Sequence, residues 1–323
     1  MLNKFVKLGL EKPVFSLKDF EKNKNKILIV RNAGGVGDIL MHMMMFKDFK
    51  RIMPEAKIVF ACPSRYHELV RGHPYVDELI ESRKIEFKDY INHYDTTSAC
   101  TRHEIKVSPL ADKNRSDIWA NHCGVEITDH NMHINISDEM KNFGVEQIKK
   151  INKENKPSVV ICPISAMKCK NLLKHHMEGL VDFLNKNDLF AFYTHLRPIN
   201  ELDDLKVPGI FGVRLKQWAG VINAADYVIA VDTGAFHLAG GLGKPLTGIF
   251  SFADGKVYGK YYDFELVQKH RDNGDWDCGP CYNWENCPKS NSNPKPCITE
   301  LTIEMITDGV SKMLKKHGKQ VLK

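Results

Sequence analysis

Short apolar runs alternate with amphipathic stretches along most of the chain, and this alternation gives the first indication of the fold. The runs ILIV (27–30), AKIVFACP (56–63) and VDELIE (76–81) are typical of buried parallel strands. Helix-like stretches separate them, the first beginning near Asp38 and extending to about Met53. The same alternation restarts at SVVICPIS (158–165). Strands that alternate with helices in this way predict parallel α/β sheets.

A polar, helix-like stretch at 138–156 ends at Pro157, where we place a boundary between two α/β units. We therefore predict an N-terminal extension at 1–26, a first unit at 27–156 and a second unit at 157–323. The second unit contains a Cys-, Pro- and Asn-rich loop at 278–297 and a terminal helix. Thr302 is the predicted N-cap of that helix, because apolar residues follow it at helical spacing.

Composition excludes several classes of protein. The 323 residues are 43% hydrophobic, and the net charge of +6 is spread without a dense basic block, so we expect no nucleic-acid partner. No apolar run approaches the roughly 20 residues of a membrane span. The N-terminal stretch lacks the features of a secretion signal, so we expect a cytoplasmic protein. Peripheral contact with the inner face of the membrane stays open.

The segment NAGGVGD (32–38) places glycines and one aspartate between a predicted strand and a predicted helix. The dinucleotide-binding fingerprint is disfavoured, because Gly35 and Gly37 fit it but Leu40 occupies its third glycine position. A P-loop is excluded because no Gly-Lys-Ser/Thr follows. Two interpretations of Asp38 remain: a helix cap, or a reactive carboxylate held at a cleft.

The segment VIAVDTGAFHLAGG (228–241) follows the same plan of an apolar strand and then a helix. An aspartic protease would need two Asp-Thr-Gly copies on β-rich lobes, whereas this chain has one copy in an α/β context. As a strand-end site it suits an anionic ligand better. The Thr233 hydroxyl, backbone amides and helix N-terminus can hold a diphosphate, while Asp232 can accept hydrogen bonds from sugar hydroxyls.

The order and spacing of three segments resemble family 9 glycosyltransferases, the heptosyltransferases of lipopolysaccharide core assembly and their relatives. The segments are RNAGGVGDILM, PEAKIVFACPSRYHELVRGHPYVDELIE and VIAVDTGAFHLAGGLGKP. The resemblance implies a GT-B architecture, with two Rossmann-like domains facing each other across a cleft. The N-terminal domain would bind the acceptor and the C-terminal domain the nucleotide sugar. The reaction would invert the anomeric centre without a catalytic metal.

The resemblance also implies roles for individual residues. Asp38 matches the general base, and Gly35 and Gly37 lie in the acceptor-side loop. The donor-binding residues matched by the motif are Asp232 for the sugar, Thr233 and Gly234 for the diphosphate, and the following His237. A packed or capping histidine is the competing interpretation of His237.

A phosphate-binding lysine is also expected after the strand SVVICPIS. Lys170 is our first choice and Lys168 the second, because the aromatic residue expected after the lysine is replaced by Leu172 or Leu173. An exposed loop charge is the alternative for either lysine.

The resemblance implies a reaction that moves a sugar, with heptose expected, from a nucleotide diphosphate donor such as ADP-heptose to a hydroxyl of a glycan, lipid or protein. Lipopolysaccharide biosynthesis is the implied pathway. Two alternatives stay open: a GT-B nucleotide-sugar epimerase or hydrolase, and a non-catalytic nucleotide-sugar-binding module.

Four clustered cysteines suggest a structural metal site. Cys278, Cys281, Cys287 and Cys297 include a CxxC pair, and four thiolates suit tetrahedral Zn or Fe. Reduced thiols and disulfides are the alternatives. A complete thiolate set would leave no open position for substrate, so any metal here would be structural. Trp119 is expected in the core rather than as a stacking platform for a ligand.

Overall fold

The computed structural model describes residues 25–108, 110–199, 205, 207–269, 287, 290–291 and 294–319. The predicted extension at 1–26 lies almost wholly outside these ranges. The first sheet has four parallel strands in the order β3-β2-β1-β4. Its strands are β1 (Lys26–Val30), β2 (Lys57–Cys62), β3 (Glu78–Glu81) and β4 (Asn92–Asp95).

The second sheet has six parallel strands in the order β10-β9-β8-β5-β6-β7. They are β5 (Ser158–Cys162), β6 (Phe190–His195), β7 (Gly209–Phe211), β8 (Tyr227–Val231), β9 (Leu246–Ile249) and β10 (Glu265–Val267). The chain leaves β5 towards one edge and returns at β8 on the other side of β5. This reversal opens a crevice at the carboxyl ends of β5 and β8, where α/β sheets commonly bind ligands.

Twelve α-helices lie within the described ranges. In the first part of the chain they are α1 (Val36–Met43), α2 (Phe46–Ile52), α3 (His67–Val70), α4 (Ala99–Val107), α5 (Arg115–His122) and α6 (Asp138–Ile151). In the second they are α7 (Lys174–Lys186), α8 (Leu215–Ala224), α9 (Gly234–Gly241), α10 (Gly255–Tyr258), α11 (Pro296–Thr299) and α12 (Ile303–Lys316). None of these helices is long and apolar enough to span a membrane.

The strands predicted from apolar runs are confirmed, and so is the terminal helix. The Thr302 hydroxyl accepts a hydrogen bond from the Met305 amide at 3.3 Å, as an N-cap should. The single helix predicted from Asp38 to about Met53 is wrong in its continuity, because residues 44–45 form a turn between α1 and α2. Apolar periodicity continues across this turn, so the pattern alone does not reveal it.

The core extends from one sheet to the other. One cluster of buried side chains contains residues of both parts of the chain, including Trp119 at 0% exposure and Phe236 at 0%. Trp119 is therefore a core residue, as predicted. A second cluster lies where α12 packs on the second sheet.

Helices α6 and α8 cross at unusually short range through two glycines. A Cβ atom on Gly144 would lie 2.1 Å from the carbonyl oxygen of Gly220, and one on Gly220 would lie 2.1 Å from the carbonyl oxygen of Met140. Only glycine allows this approach. Helix α6, which we assigned to the first unit, thus packs against a helix of the second unit. The boundary at 156/157 stays a prediction.

Candidate active site

A cavity of about 350 Å³ lies between two parts of the molecule, which are the described residues of 25–156 and those of 157–319. Asp38 and Arg115 line it from the first part, and Lys170, Asp232 and Thr233 line it from the second. Residues from the predicted base motif, the predicted lysine segment and the Asp-Thr-Gly motif therefore share one cavity, although they are far apart in sequence.

Asp38 occupies the first turn of α1 and is held by several donors. Its Oδ2 accepts a hydrogen bond from the Gly35 amide at 2.9 Å and lies 3.4 Å from Nη2 of Arg31. Its Oδ1 accepts one from Nη1 of Arg115 at 3.1 Å. Burial alone would raise the pKa of Asp38, but Arg115, Arg31 and the Gly35 amide together hold it below its usual value. Asp38 thus caps its helix and also faces the cavity as a carboxylate.

The predicted acceptor-side glycines differ in their surroundings. A Cβ atom on Gly37 would lie 2.5 Å from Cδ2 of His237, whereas one on Gly35 would have no neighbour within 4 Å. A Cβ atom on Gly234 would similarly lie 2.7 Å from Cβ of Val36. The first turns of α1 and α9 therefore meet at glycine positions, and the residues of this contact line the cavity.

Lys170 and Asp232 form an ion pair inside the cavity. Lys170 ends a 3₁₀ turn at Lys168–Lys170 after β5, and Asp232 follows β8 directly. The Lys170 ammonium donates to Oδ2 of Asp232 at 2.6 Å and lies 5.3 Å above the ring of Phe252. Burial opposes ionisation of Asp232, yet the charges of Lys170 and Arg115 lower its pKa. Lys168, the second choice, is exposed and does not line the cavity.

The remaining residues of the Asp-Thr-Gly motif begin α9. Thr233 is its N-cap, and the Thr233 hydroxyl accepts a hydrogen bond from the Ala235 amide at 2.9 Å. His237 lies one turn later, buried, with Nδ1 3.0 Å from the hydroxyl of Tyr262. Burial lowers the pKa of His237 to about 4, so the imidazole is neutral at neutral pH. His237 is therefore both packed and in contact with the cavity.

The two arginines and their partners were not identified from the sequence. Arg115 binds Glu104 in a bidentate manner, with Nε to Oε1 at 2.7 Å and Nη2 to Oε2 at 3.1 Å. Glu104 also accepts a hydrogen bond from the Tyr258 hydroxyl at 2.8 Å. A single arginine or glutamate on a helix carries no local signal, because its partners come from other segments of the chain.

The buried His42 ring contacts the backbone of Asp38. Its Nδ1 lies 2.7 Å from the Asp38 carbonyl oxygen, and its Nε2 lies 2.8 Å from Oγ1 of Thr96. The ring is fully buried against Trp119, with centroids 3.8 Å apart. Burial lowers the pKa of His42 to about 3, so it is neutral at neutral pH. Because a carbonyl can only accept, the proton of the neutral ring belongs on Nδ1.

Only two of the four cysteines in the predicted metal site lie within the described residues. Cys278 and Cys281 lie outside the described residues, while Cys287 is half-buried and Cys297 is buried. Among the described residues, no group of three or more His, Cys, Asp or Glu side chains could hold a metal ion. Because half of the cysteine set lies outside that part of the chain, the metal site stays a prediction.

The family model described as glycosyltransferase family 9 (heptosyltransferase) matches residues 97–271, more than half of the chain. The chain belongs to glycosyltransferase family 9. The predicted family and enzyme class are thereby confirmed: this protein is a glycosyltransferase that uses a nucleotide sugar. The match includes Lys170 and the Asp-Thr-Gly motif but begins after Asp38. No curated protein matches the sequence.

Solved structures of glycosyltransferases share the fold. A family 9 glycosyltransferase from Veillonella parvula is 12% identical, with a TM-score of 0.68, covering 91% of this chain and 98% of its own. The ADP-heptose lipopolysaccharide heptosyltransferase II of E. coli is 13% identical, with a TM-score of 0.65, covering 90% and 99%. The iron-containing dodecameric glycosyltransferase TibC of enterotoxigenic E. coli is 13% identical, with a TM-score of 0.69, covering 91% and 78%. The predicted GT-B fold is confirmed.

Proposed function

We propose that this family 9 glycosyltransferase transfers a sugar from a nucleotide diphosphate donor to a hydroxyl group, with inversion at the anomeric carbon. The observation that carries the proposal is that Asp38, Lys170, Asp232 and Thr233 line one cavity. A carboxylate on one side and a cation with a helix N-terminus on the other suit a hydroxyl nucleophile and a diphosphate leaving group.

Asp38 is the proposed general base. The acceptor oxygen attacks the anomeric carbon, the bond from that carbon to the diphosphate oxygen breaks, and Asp38 takes the hydroxyl proton. Arg115 and Arg31 keep this carboxylate ionised at neutral pH, so it can accept a proton, although it is a weak base. A weak base is sufficient when proton transfer is late, because the attacking hydroxyl becomes more acidic as its bond to carbon forms.

Lys170 and the first turn of α9 are the proposed binding site for the diphosphate. The Lys170 ammonium, already oriented by Asp232, would offset the negative charge that develops on the leaving phosphate. The N-terminus of α9 at Thr233 and Gly234 adds backbone amides and a favourable dipole. His237 contributes a neutral ring beside the same turn. Asp232 would accept hydrogen bonds from hydroxyls of the transferred sugar.

ADP-heptose is the first donor candidate. The E. coli heptosyltransferase II is described as an ADP-heptose enzyme, and a second TibC structure, 12% identical with a TM-score of 0.67, contains ADP-D-β-D-heptose. The acceptor would be a glycan, lipid or protein hydroxyl, and lipopolysaccharide assembly is the first context to test. The proposed location is the cytoplasm, with peripheral contact at the inner face of the membrane.

A structural Zn or Fe ion in the cysteine loop is a separate proposal. Four thiolates provide a complete tetrahedral set without an open position for substrate. TibC is described as iron-containing, which makes iron worth testing beside zinc. The Cys297 side chain is buried at the start of α11, next to the terminal helix that such an ion would help to hold.

A panel of nucleotide sugars tests the proposed reaction. The protein is incubated with ADP-heptose, UDP-glucose, GDP-mannose and other nucleotide sugars, with and without bacterial glycan and lipid fractions. Release of nucleoside diphosphate and transfer of label are both measured, and the product anomer is determined by NMR. We expect ADP-heptose to be preferred and the anomeric configuration to invert. Retention of configuration, or a product that is an epimerised nucleotide sugar, would contradict the proposal.

A further inference from the structure

A chain of contacts leads from the second part of the molecule to Asp38. The Tyr258 hydroxyl donates to Oε1 of Glu104 at 2.8 Å. The same Glu104 carboxylate holds Arg115 at 2.7 and 3.1 Å, and Nη1 of Arg115 donates to Oδ1 of Asp38 at 3.1 Å. Tyr258, Glu104 and Arg115 thus connect the far wall of the cavity to the carboxylate proposed as the base.

The first contact of this chain joins the two parts of the molecule. Tyr258 ends α10 in the second part, whereas Glu104, Arg115 and Asp38 belong to the first. The side-chain amide of Asn114, just before Arg115, donates to the carbonyl oxygens of Val257 and Tyr258, each at 3.0 Å. The end of α10 is therefore fixed to the segment that carries Arg115, and this contact exists only while the two parts touch.

Burial makes the arrangement sensitive to the loss of one hydroxyl. Glu104 is 4% exposed and Tyr258 is 3% exposed, so bulk water does not readily replace the hydrogen bond between them. The ring of Tyr258 also lies 5.3 Å from the Arg115 guanidinium. Without the hydroxyl, Glu104 would depend more strongly on Arg115 and draw it away from Oδ1 of Asp38.

We propose that Tyr258 is a positioning residue that couples contact between the two parts of the molecule to the placement of Asp38, through Glu104 and Arg115. The inference rests on the proposed role of Asp38. Through this coupling, Asp38 is correctly placed only when both parts are in contact, as expected for an enzyme that must exclude water before transfer.

The same segment offers a matched control. The Tyr261 hydroxyl also bridges the two parts, donating to Oδ2 of Asp117 at 2.6 Å, and its ring stacks on His130. Asp117 is bound by His130 and Tyr261 rather than by the arginine that holds Asp38. Tyr261→Phe therefore removes one bridging hydroxyl without touching the chain to the base.

The test compares Tyr258→Phe, Tyr261→Phe, Glu104→Gln and the double variant Tyr258→Phe/Glu104→Gln in the full-length protein. ADP release from ADP-heptose gives kcat and KM, and calorimetry gives the affinity for ADP. We expect Tyr258→Phe to lower kcat about five- to tenfold, the effect of roughly one lost hydrogen bond, with ADP affinity unchanged. Tyr261→Phe should leave kcat unchanged, and the double variant should be no slower than Glu104→Gln.

Equal kcat values for Tyr258→Phe and Tyr261→Phe, or independent losses that multiply in the double variant, would overturn the inference. Asp38→Asn, measured in the same assays, distinguishes failure of the coupling from failure of the proposed function. If Asp38→Asn removes turnover while Tyr258→Phe behaves like its control, only the coupling is wrong. If Asp38→Asn keeps normal turnover, or if the wild-type protein releases nucleoside diphosphate from no nucleotide sugar of the panel, the proposed function and the coupling both fall.

Discussion

The ammonium nitrogen of Lys170 lies 2.6 Å from Oδ2 of Asp232, and this ion pair joins the loops that follow two neighbouring strands of the second sheet. The pair lies where the strand order reverses, at β5 and β8, and faces the cavity. Each partner compensates the other's buried charge. Because Asp232 already orients the Lys170 ammonium, binding of a diphosphate would require little further ordering of this side chain.

Lys170→Ala should weaken binding of ADP much more than binding of adenosine. The variant would remove the proposed charge-assisted phosphate contact, worth about 1.5–3 kcal/mol, or roughly ten- to hundredfold in Kd. Calorimetric titration with both ligands measures the difference. Lys168→Ala is the matched control, because that side chain is exposed and does not line the cavity. A loss confined to Lys168→Ala would show that the assigned lysine is wrong by two positions.

Arg115→Met should shift the acid limb of the rate profile to higher pH. Burial alone would raise the pKa of Asp38, and Arg115 helps to hold it below its usual value, so removal of Arg115 should raise that pKa. The proposed base must be ionised to accept a proton, so activity should be lost at a higher pH as the solution is acidified. The measurement is kcat/KM for ADP release from pH 3 to 9, so that the scan extends below the usual pKa of an aspartate.

Arg102→Met provides the control for this profile, because Arg102 is exposed on α4 and makes its side-chain contact with Ser98. Identical acid limbs for Arg115→Met and Arg102→Met would contradict the electrostatic role of Arg115. They would also indicate that the rate profile reports a group other than Asp38.

Much of the fold follows from the sequence, because buried parallel strands such as β1, β5 and β8 are continuous apolar runs. Strand β4, with the sequence NHYD, was not predicted, because it is a polar edge strand without apolar alternation. The turn between α1 and α2 was missed for a related reason, since apolar residues continue through it.

In the candidate site, the sequence likewise predicts residues that lie in local motifs and misses those whose roles depend on tertiary contacts. Asp38 and Asp232 lie in motifs with recognisable local order, so the sequence points to both. Arg115 and Tyr258 acquire their roles only when distant segments meet, and no spacing rule connects them to Asp38. The low pKa of Asp38 has the same origin, because it depends on charges that folding brings together.

Gly144→Ala should destabilise the protein through the crossing of α6 and α8. The new Cβ atom would lie 2.1 Å from the Gly220 carbonyl oxygen, so backbone must move. We expect a loss of about 1–3 kcal/mol in the free energy of unfolding, measured by urea denaturation. Asn142→Ala on the exposed face of α6 should change it by less than about 0.5 kcal/mol. Equal stabilities would contradict the close crossing of the two helices.

The cysteine loop should bind roughly one Zn or Fe ion per chain, as elemental analysis of the purified protein would show. Chelation should lower the melting temperature, because a metal bound only by the folded state adds to its stability. Activity should be lost only as the protein unfolds. The double variant Cys278→Ser/Cys281→Ser should be insensitive to the chelator. Metal-free protein with all four thiols titratable and unchanged stability would contradict the site.

The most direct test of the central claim is the transfer rate of Asp38→Asn. The substitution keeps the shape of the side chain but removes the carboxylate, which lines the same cavity as Lys170 and Asp232. We predict that the rate falls roughly a hundred- to ten-thousandfold, while the Kd for ADP stays within a factor of about two, because the base acts on the acceptor rather than on the donor. A variant that keeps near-normal turnover with an unchanged pH profile would contradict the account.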